Sequence, residues 1–252
     1  MAPRTSAQNP DVHITSVELA VTDPATTADW YADVLGLPGA EGSVAAGDGV
    51  AAVTVGSSVL RLTTAHQPPR GHHHLAFTIP ADSIHAAHAW LVQRVEVMTV
   101  DGSDIVAGSP EWDSESVYFP GPDGSILELI ARHRSPPAER DTATHTPVPF
   151  TPGSLLSISE VGIPVADVPA TVEELGSVLG LTPFDEPGQW FAAVGDDDGL
   201  LIVVQSARTW FPTTDDLPDD GPLDVRLSGA LDATLDLGGG RSVTGRHAPK
   251  QV

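Results

Sequence analysis

The sequence predicts an α+β fold made of tandem β-α-β-β modules, each carrying one more short strand, with the last module truncated. Residues 17–37, VELAVTDPATTADWYADVLGL, recur without a gap as residues 161–181, VGIPVADVPATVEELGSVLGL. Asp23 meets Asp167, and at that constant offset of 144 Val17, Val21, Thr27, Val34, Leu35, Gly36 and Leu37 also meet identical residues. After each copy come two apolar stretches split by a turn, AAVTVGSSVLRLTTA (51–65) and FAAVGDDDGLLIVVQS (191–206). The 252 residues include 24 Gly and 23 Pro, which favours many short elements over long helices.

The first module opens on a strand, because Val17, Leu19 and Val21 alternate as one apolar face. Asp23 then stands at a helix N-cap with Pro24 at the first helical position, and Gly36 stops the helix. A second module begins at residue 72: HHHLAFTIP reads as a strand and DSIHAAHAWLVQR as a helix. Strands over Ser116–Phe119 and Ile126–Ala131 flank the turn Gly121-Pro122-Asp123-Gly124. The third module is the repeat at 161–181. A fourth starts near Leu223, where too little chain remains for a full copy. The Pro- and Thr-rich stretch between modules two and three predicts a linker over 134–154, leaving a two-module domain over 13–133 and a third module plus a truncated fourth over 155–252.

Composition narrows the function. There is no cysteine, so disulfides, thiolate nucleophiles and Cys-ligated metals are excluded. No apolar run is long enough for a transmembrane helix, and the opening MAPRTSAQNPDVH has no apolar core, so the expected location is the cytoplasm. The 34 acidic residues against 12 Lys+Arg give a net charge of −22, which repels phosphate backbones and anionic membranes. Expected partners are therefore a small-molecule substrate, with no nucleic acid and no membrane; a homodimer stays open. High acidity with Lys250 as the only lysine reads as adaptation to a salty cytoplasm, a halophilic trait, against genomic base composition as the plainer cause.

VELAVTDPATTADWYADVLGL, HHHLAFTIP and VYFPGPDGSILELIARH together resemble the vicinal oxygen chelate superfamily, which includes glyoxalase I, bleomycin-resistance proteins and extradiol ring-cleaving dioxygenases. The resemblance covers about residues 13–133 and returns in module three. It implies glyoxalase-like modules, with one complete two-module cup from modules one and two plus a partly truncated second module pair. It also implies a divalent metal held in the cup by a His on each first strand and a Glu on a last strand. His74 matches one His and Glu128 the Glu, and strand parity sends both away from the helix-facing set Leu75, Phe77, Leu127 and Leu129. The other His is replaced by Ser16, and the matching position in module three is Glu160. Glu18 shares the Ser16 face and is the expected third ligand, with His72 as a substitute. Such donors suit Fe(II) or Mn(II) ahead of Ni(II) or Zn(II).

The dioxygenase branch carries a Tyr ten residues before the Glu ligand, and Tyr118 stands there, so the resemblance implies a role in orienting substrate; a strand-end tyrosine is the structural alternative. Trp112 and Arg61 are the expected substrate-binding residues, one by stacking and one by charge. The expected function is a metal-dependent protein most like an extradiol dioxygenase acting on a catechol-like molecule. A metal-free small-molecule binder of the same fold and a glyoxalase I-type lyase are the alternatives. The charge has its own consequence. Self-repulsion at −22 should lower stability at low ionic strength, so the thermal midpoint should rise between low and molar salt by about 5 °C or more, equivalent to about 2 kcal/mol. Melting curves across that range check it, and a flat midpoint leaves genomic bias as the explanation.

Overall fold

The computed structural model describes residues 12–40, 49–67, 69–140, 146 and 148–247. The N-terminal residues 1–11, and residues 141–145 and 147 of the expected linker, lie outside that set. Module one is β1 (His13–Val21), α1 (Pro24–Leu35), β2 (Val50–Val55) and β3 (Ser58–Thr64). Module two is β4 (His74–Ile79), α2 (Ile84–Leu91), β5 (Val106–Ala107), β6 (Ser114–Pro120) and β7 (Ile126–Arg132). Module three is β8 (Ser157–Val165), α3 (Val168–Leu179), β9 (Phe191–Asp196) and β10 (Gly199–Gln205), and module four is β11 (Leu223–Ser228), β12 (Ala233–Gly238) and β13 (Arg241–Arg246).

The repeat is reproduced in the residues that start and stop the helices. The Asp23 carboxylate accepts from the backbone N–H of Ala25 and Thr26, and Asp167 accepts from Ala170. Gly36 and Gly180 close their helices at φ +66° and +72°, the left-handed region that glycine enters without strain. Among the described residues, the additional short strand of modules one and three is represented by a single bridge, Gly39 to Val53 and Pro183 to Val194. Module four has no helix between β11 and β12; α3 of module three packs against β12 in its place.

The chain forms two sheets. One has the order β12-β13-β11-β1-β3-β2 and the other β5-β6-β7-β4-β8-β10-β9. There is one complete module pair and one truncated pair, but their membership differs from the expectation. Module two joins module three through the antiparallel pair β4–β8, and module one joins module four through β1–β11. Adjacency in sequence favoured modules one and two. The strand edges decide otherwise: β1 takes β11 on the side opposite β3, so no edge of it is left for β4. Both junctions carry an irregularity at matching places, between Ile14 and Ser16 in β1 and opposite Ile158–Glu160 in β8.

One apolar core serves both sheets. Val17, Leu19 and Val21 of one sheet share it with Leu75, Phe77, Leu127, Leu129, Val161 and Ile163 of the other. Ser58 sits fully buried at this contact. Its hydroxyl donates to the Ile14 carbonyl (2.6 Å) and accepts from the Ile158 N–H (3.0 Å), tying β3 and β1 to β8. Ser58→Ala leaves two buried backbone groups without that partner. The variant should lose about 2 kcal/mol or more, read by urea denaturation, while Ser57→Ala at the exposed neighbour stays close to wild type.

Candidate metal centre and substrate cavity

The face of the seven-stranded sheet turned away from the core bears the titratable cluster. Parity places His74 on β4 and Glu128 on β7 there, since Leu75, Phe77, Leu127 and Leu129 are committed to the core. Glu160 on β8 arrives across the module junction, opposite Ala76. His74, Glu128 and Glu160 offer donor atoms within 4.8 Å of one another, and all three are buried. His74 Nε2 lies 3.6 Å from Glu128 and 4.0 Å from Glu160. His74 Nδ1 sits 3.1 Å from the Ile126 carbonyl, which can only accept, so Nδ1 carries the proton and Nε2 turns its lone pair to the carboxylates. A lone pair facing two carboxylates calls for a shared proton or a cation. An imidazole nitrogen with two carboxylates is a donor set that fits a divalent transition metal.

Arg132, at the end of β7, is fully buried behind this cluster. Its guanidinium ion-pairs with Glu160 Oε1 and donates to the Ser159 hydroxyl at 3.2 Å, while its Nε lies 3.3 Å from Asp197. Glu160 Oε2 is the oxygen turned to His74. Burial, reinforced by the charge of Glu128, pushes the Glu160 carboxyl up to about 7 against the pull of Arg132. Burial also raises Glu128, opposed by hydrogen bonds from Ser116 and Tyr118 and by Arg132, and burial lowers His74. The Tyr118 phenol is held well above its ordinary range by burial and by the two carboxylates, so it stays a neutral donor. Tyr118 faces Glu128 directly across the β6–β7 ladder, which is what a ten-residue spacing around a tight turn produces.

A cavity of about 320 Å³ opens over the cluster. Tyr118 and Trp112 line it; the Trp112 indole donates to Asp185 at 3.1 Å. Trp210 stands over Gly162, where any Cβ would meet its ring, and its ring lies 5.4 Å from that of His74. Arg208, Trp210 and Phe211, from the segment that follows β10, wall the cavity of the complete module pair.

Two expected residues stand elsewhere. Glu18 and Arg61 lie in the six-stranded sheet, paired with each other at 3.3 Å, half-exposed and outside the cluster. The module exchange explains this: Glu18 faces the same way in its own sheet as Glu128 in the other, so parity was right and the sheet was not. By register, Ser16, Arg61 and Asp224 occupy in that sheet the places of His74, Glu128 and Glu160. His72 also stands apart, 3.4 Å from Asp216. Glu160 was visible in the sequence as the residue at the missing His position, but a replaced ligand reads as a loss until the partner module is known. Arg132 gave no signal beyond an arginine at a strand end.

The titration of Glu160 has a measurable consequence in metal-free protein. Its folded value of about 7 lies above the usual 4.5, so the folded state holds a proton that the unfolded chain has released. This residue therefore makes stability fall as pH rises from about 4.5 to 7. His74, lowered by burial, contributes the opposite slope below its ordinary 6.5. Subtracting Glu160→Gln from wild type in chemical denaturation across that window should expose the falling slope; a difference curve that is flat or rising contradicts it.

A family model for the Glyoxalase/Bleomycin resistance protein/Dioxygenase superfamily matches residues 13–129. No curated protein matches the sequence. Among solved structures, a protein from Bacillus subtilis subsp. subtilis str. 168 assigned as a dioxygenase is similar over 85% of this chain and 69% of its own, at 17% identity and a TM-score of 0.57. Glyoxalase I from Zea mays is similar over 86% of this chain and 75% of its own, at 14% identity and a TM-score of 0.52. At such identities the likeness concerns the fold alone. No described helix is long and apolar enough to cross a membrane. Residues 13–129, a little under half of the chain, thus carry the match to the glyoxalase/bleomycin resistance protein/dioxygenase superfamily, and the solved structures extend the likeness of fold over most of its length.

Proposed function

We propose that the cup of modules two and three holds a divalent metal through His74, Glu128 and Glu160, and that the protein acts on a small molecule with two adjacent oxygens, most like an extradiol dioxygenase acting on a catechol. The observation that carries this reading is the convergence of three buried donors with His74 Nδ1 already committed to a backbone carbonyl. A bound ion would polarise substrate oxygens and, as Fe(II), support dioxygen chemistry. The chain's own residues do the rest. Arg132 holds Glu160 by one oxygen and leaves the other turned to His74. Tyr118, kept protonated, can donate a hydrogen bond to a substrate oxygen. Trp112, Trp210 and Phe211 line the cavity with aromatic surface that excludes water from a planar ligand.

The glyoxalase I-type lyase reading is favoured by one feature: two carboxyl groups, Glu128 and Glu160, line the cavity, so that one can hold the ion while the other serves as a base. Calorimetric titration of Fe(II), Mn(II), Ni(II) and Zn(II) into tag-free protein tests the common part. Wild type should bind one ion, with His74→Ala and Glu160→Gln weakened about 10-fold or more. Glu18→Gln should bind like wild type, because Glu18 is paired to Arg61 in the other sheet. Binding of none of these ions overturns the metal reading and leaves a small-molecule binder. Oxygen uptake with catechols then separates the dioxygenase from the lyase.

A further inference from the structure

The cavity contains a cation that nothing in the cluster uses. Arg208 follows β10, is half-buried, and is the only arginine or lysine among the residues lining the cavity. Its guanidinium lies over the Phe191 ring at 5.1 Å, and its backbone N–H is bonded to Gln205. Among the described residues no carboxylate or carbonyl accepts from the guanidinium, and burial alone lowers its affinity for the proton. The two acids in the cavity have other obligations: Glu160 is held by Arg132, and Glu128 faces Ser116 and Tyr118. In a chain of net charge −22 an arginine left without an acidic partner inside an apolar cavity is a costly arrangement. Arg61, Arg132, Arg134 and Arg226 all have carboxylate partners.

We infer that Arg208 receives a carboxylate of the ligand, so that the cavity takes a small aromatic acid rather than a neutral ring compound. The guanidinium fork matches a carboxylate with two parallel hydrogen bonds. Trp112, Phe191, Trp210 and Phe211 supply faces and edges for one planar ring, and about 320 Å³ is at the small end of ligand cavities. The net charge of the protein works against capture of any anion, so selectivity for one has to come from this local cation. The inference deepens the proposed function and rests on the same cavity being the substrate site, but it does not require the metal.

Benzoate and its neutral isostere benzamide separate the two. Titration into the tag-free full chain is run with a chelator present, so that no metal can hold the carboxylate. Wild type should prefer benzoate by about 10-fold or more, the scale of a charge-assisted bidentate contact. Arg208→Gln should lose that preference while still binding benzamide, which shows the cavity intact. Arg208→Lys should keep part of it, since a point charge remains without the fork. Equal binding of the two ligands by wild type, a preference that survives in Arg208→Gln, or no binding of either ligand overturns the inference. Metal binding without a benzoate preference removes this inference alone; a benzoate preference without metal binding removes the metal reading alone.

Discussion

The antiparallel seam between β4 and β8 is the constraint on which the rest depends. It sets Ala76 opposite Glu160 and so delivers a carboxylate from module three to an imidazole and a carboxylate from module two. A slip of one residue would turn Glu160 into the core and Val161 into the cup. The irregularity in the ladder at this point is therefore part of the site: it lets Ile158 and Val161 both reach the core while Ser159 and Glu160 meet Arg132.

Arg132 explains how such a cluster survives inside a folded protein. Two carboxylates brought together under burial repel each other and resist ionisation. The guanidinium neutralises one of them from behind, from a fully buried position closed by Ser159 and Asp197. Removing either partner of such a pair strands the other charge in a poorly solvated place, so the arrangement is held jointly. The six-stranded sheet shows the other solution at equivalent positions. There Arg61 and Asp224 stand where acids face His74 in the seven-stranded sheet, and each charge is matched by a neighbour.

Much of the fold was legible because it rests on local chemistry. Asp23 and Asp167 as caps, Gly36 and Gly180 as stops, and the alternation of Val17, Leu19 and Val21 each act within a few residues. The same parity placed His74 and Glu128 on one face. What was not legible is which sheet edge meets which, since β1 and β4 carry the same alternating pattern and either could receive a neighbour. That one ambiguity moved Glu18 and Arg61 out of the cup and brought Glu160 and Trp210 in. Gly162 carries its meaning only once Trp210 is seen above it.

The pairing of β1 with β11 makes neighbours of segments that are more than two hundred residues apart in the chain, as His13 opposite Ser228 illustrates. A ribosome emits β1 long before β11 exists. Until then β1 has an open edge of unpaired backbone groups beside an apolar face, a template for mispairing with another copy. The seven-stranded sheet can close earlier, because β4 and β8 are synthesised closer together. The order of synthesis thus favours completion of the site-bearing sheet first and leaves the six-stranded sheet, with its borrowed helix α3, to close last.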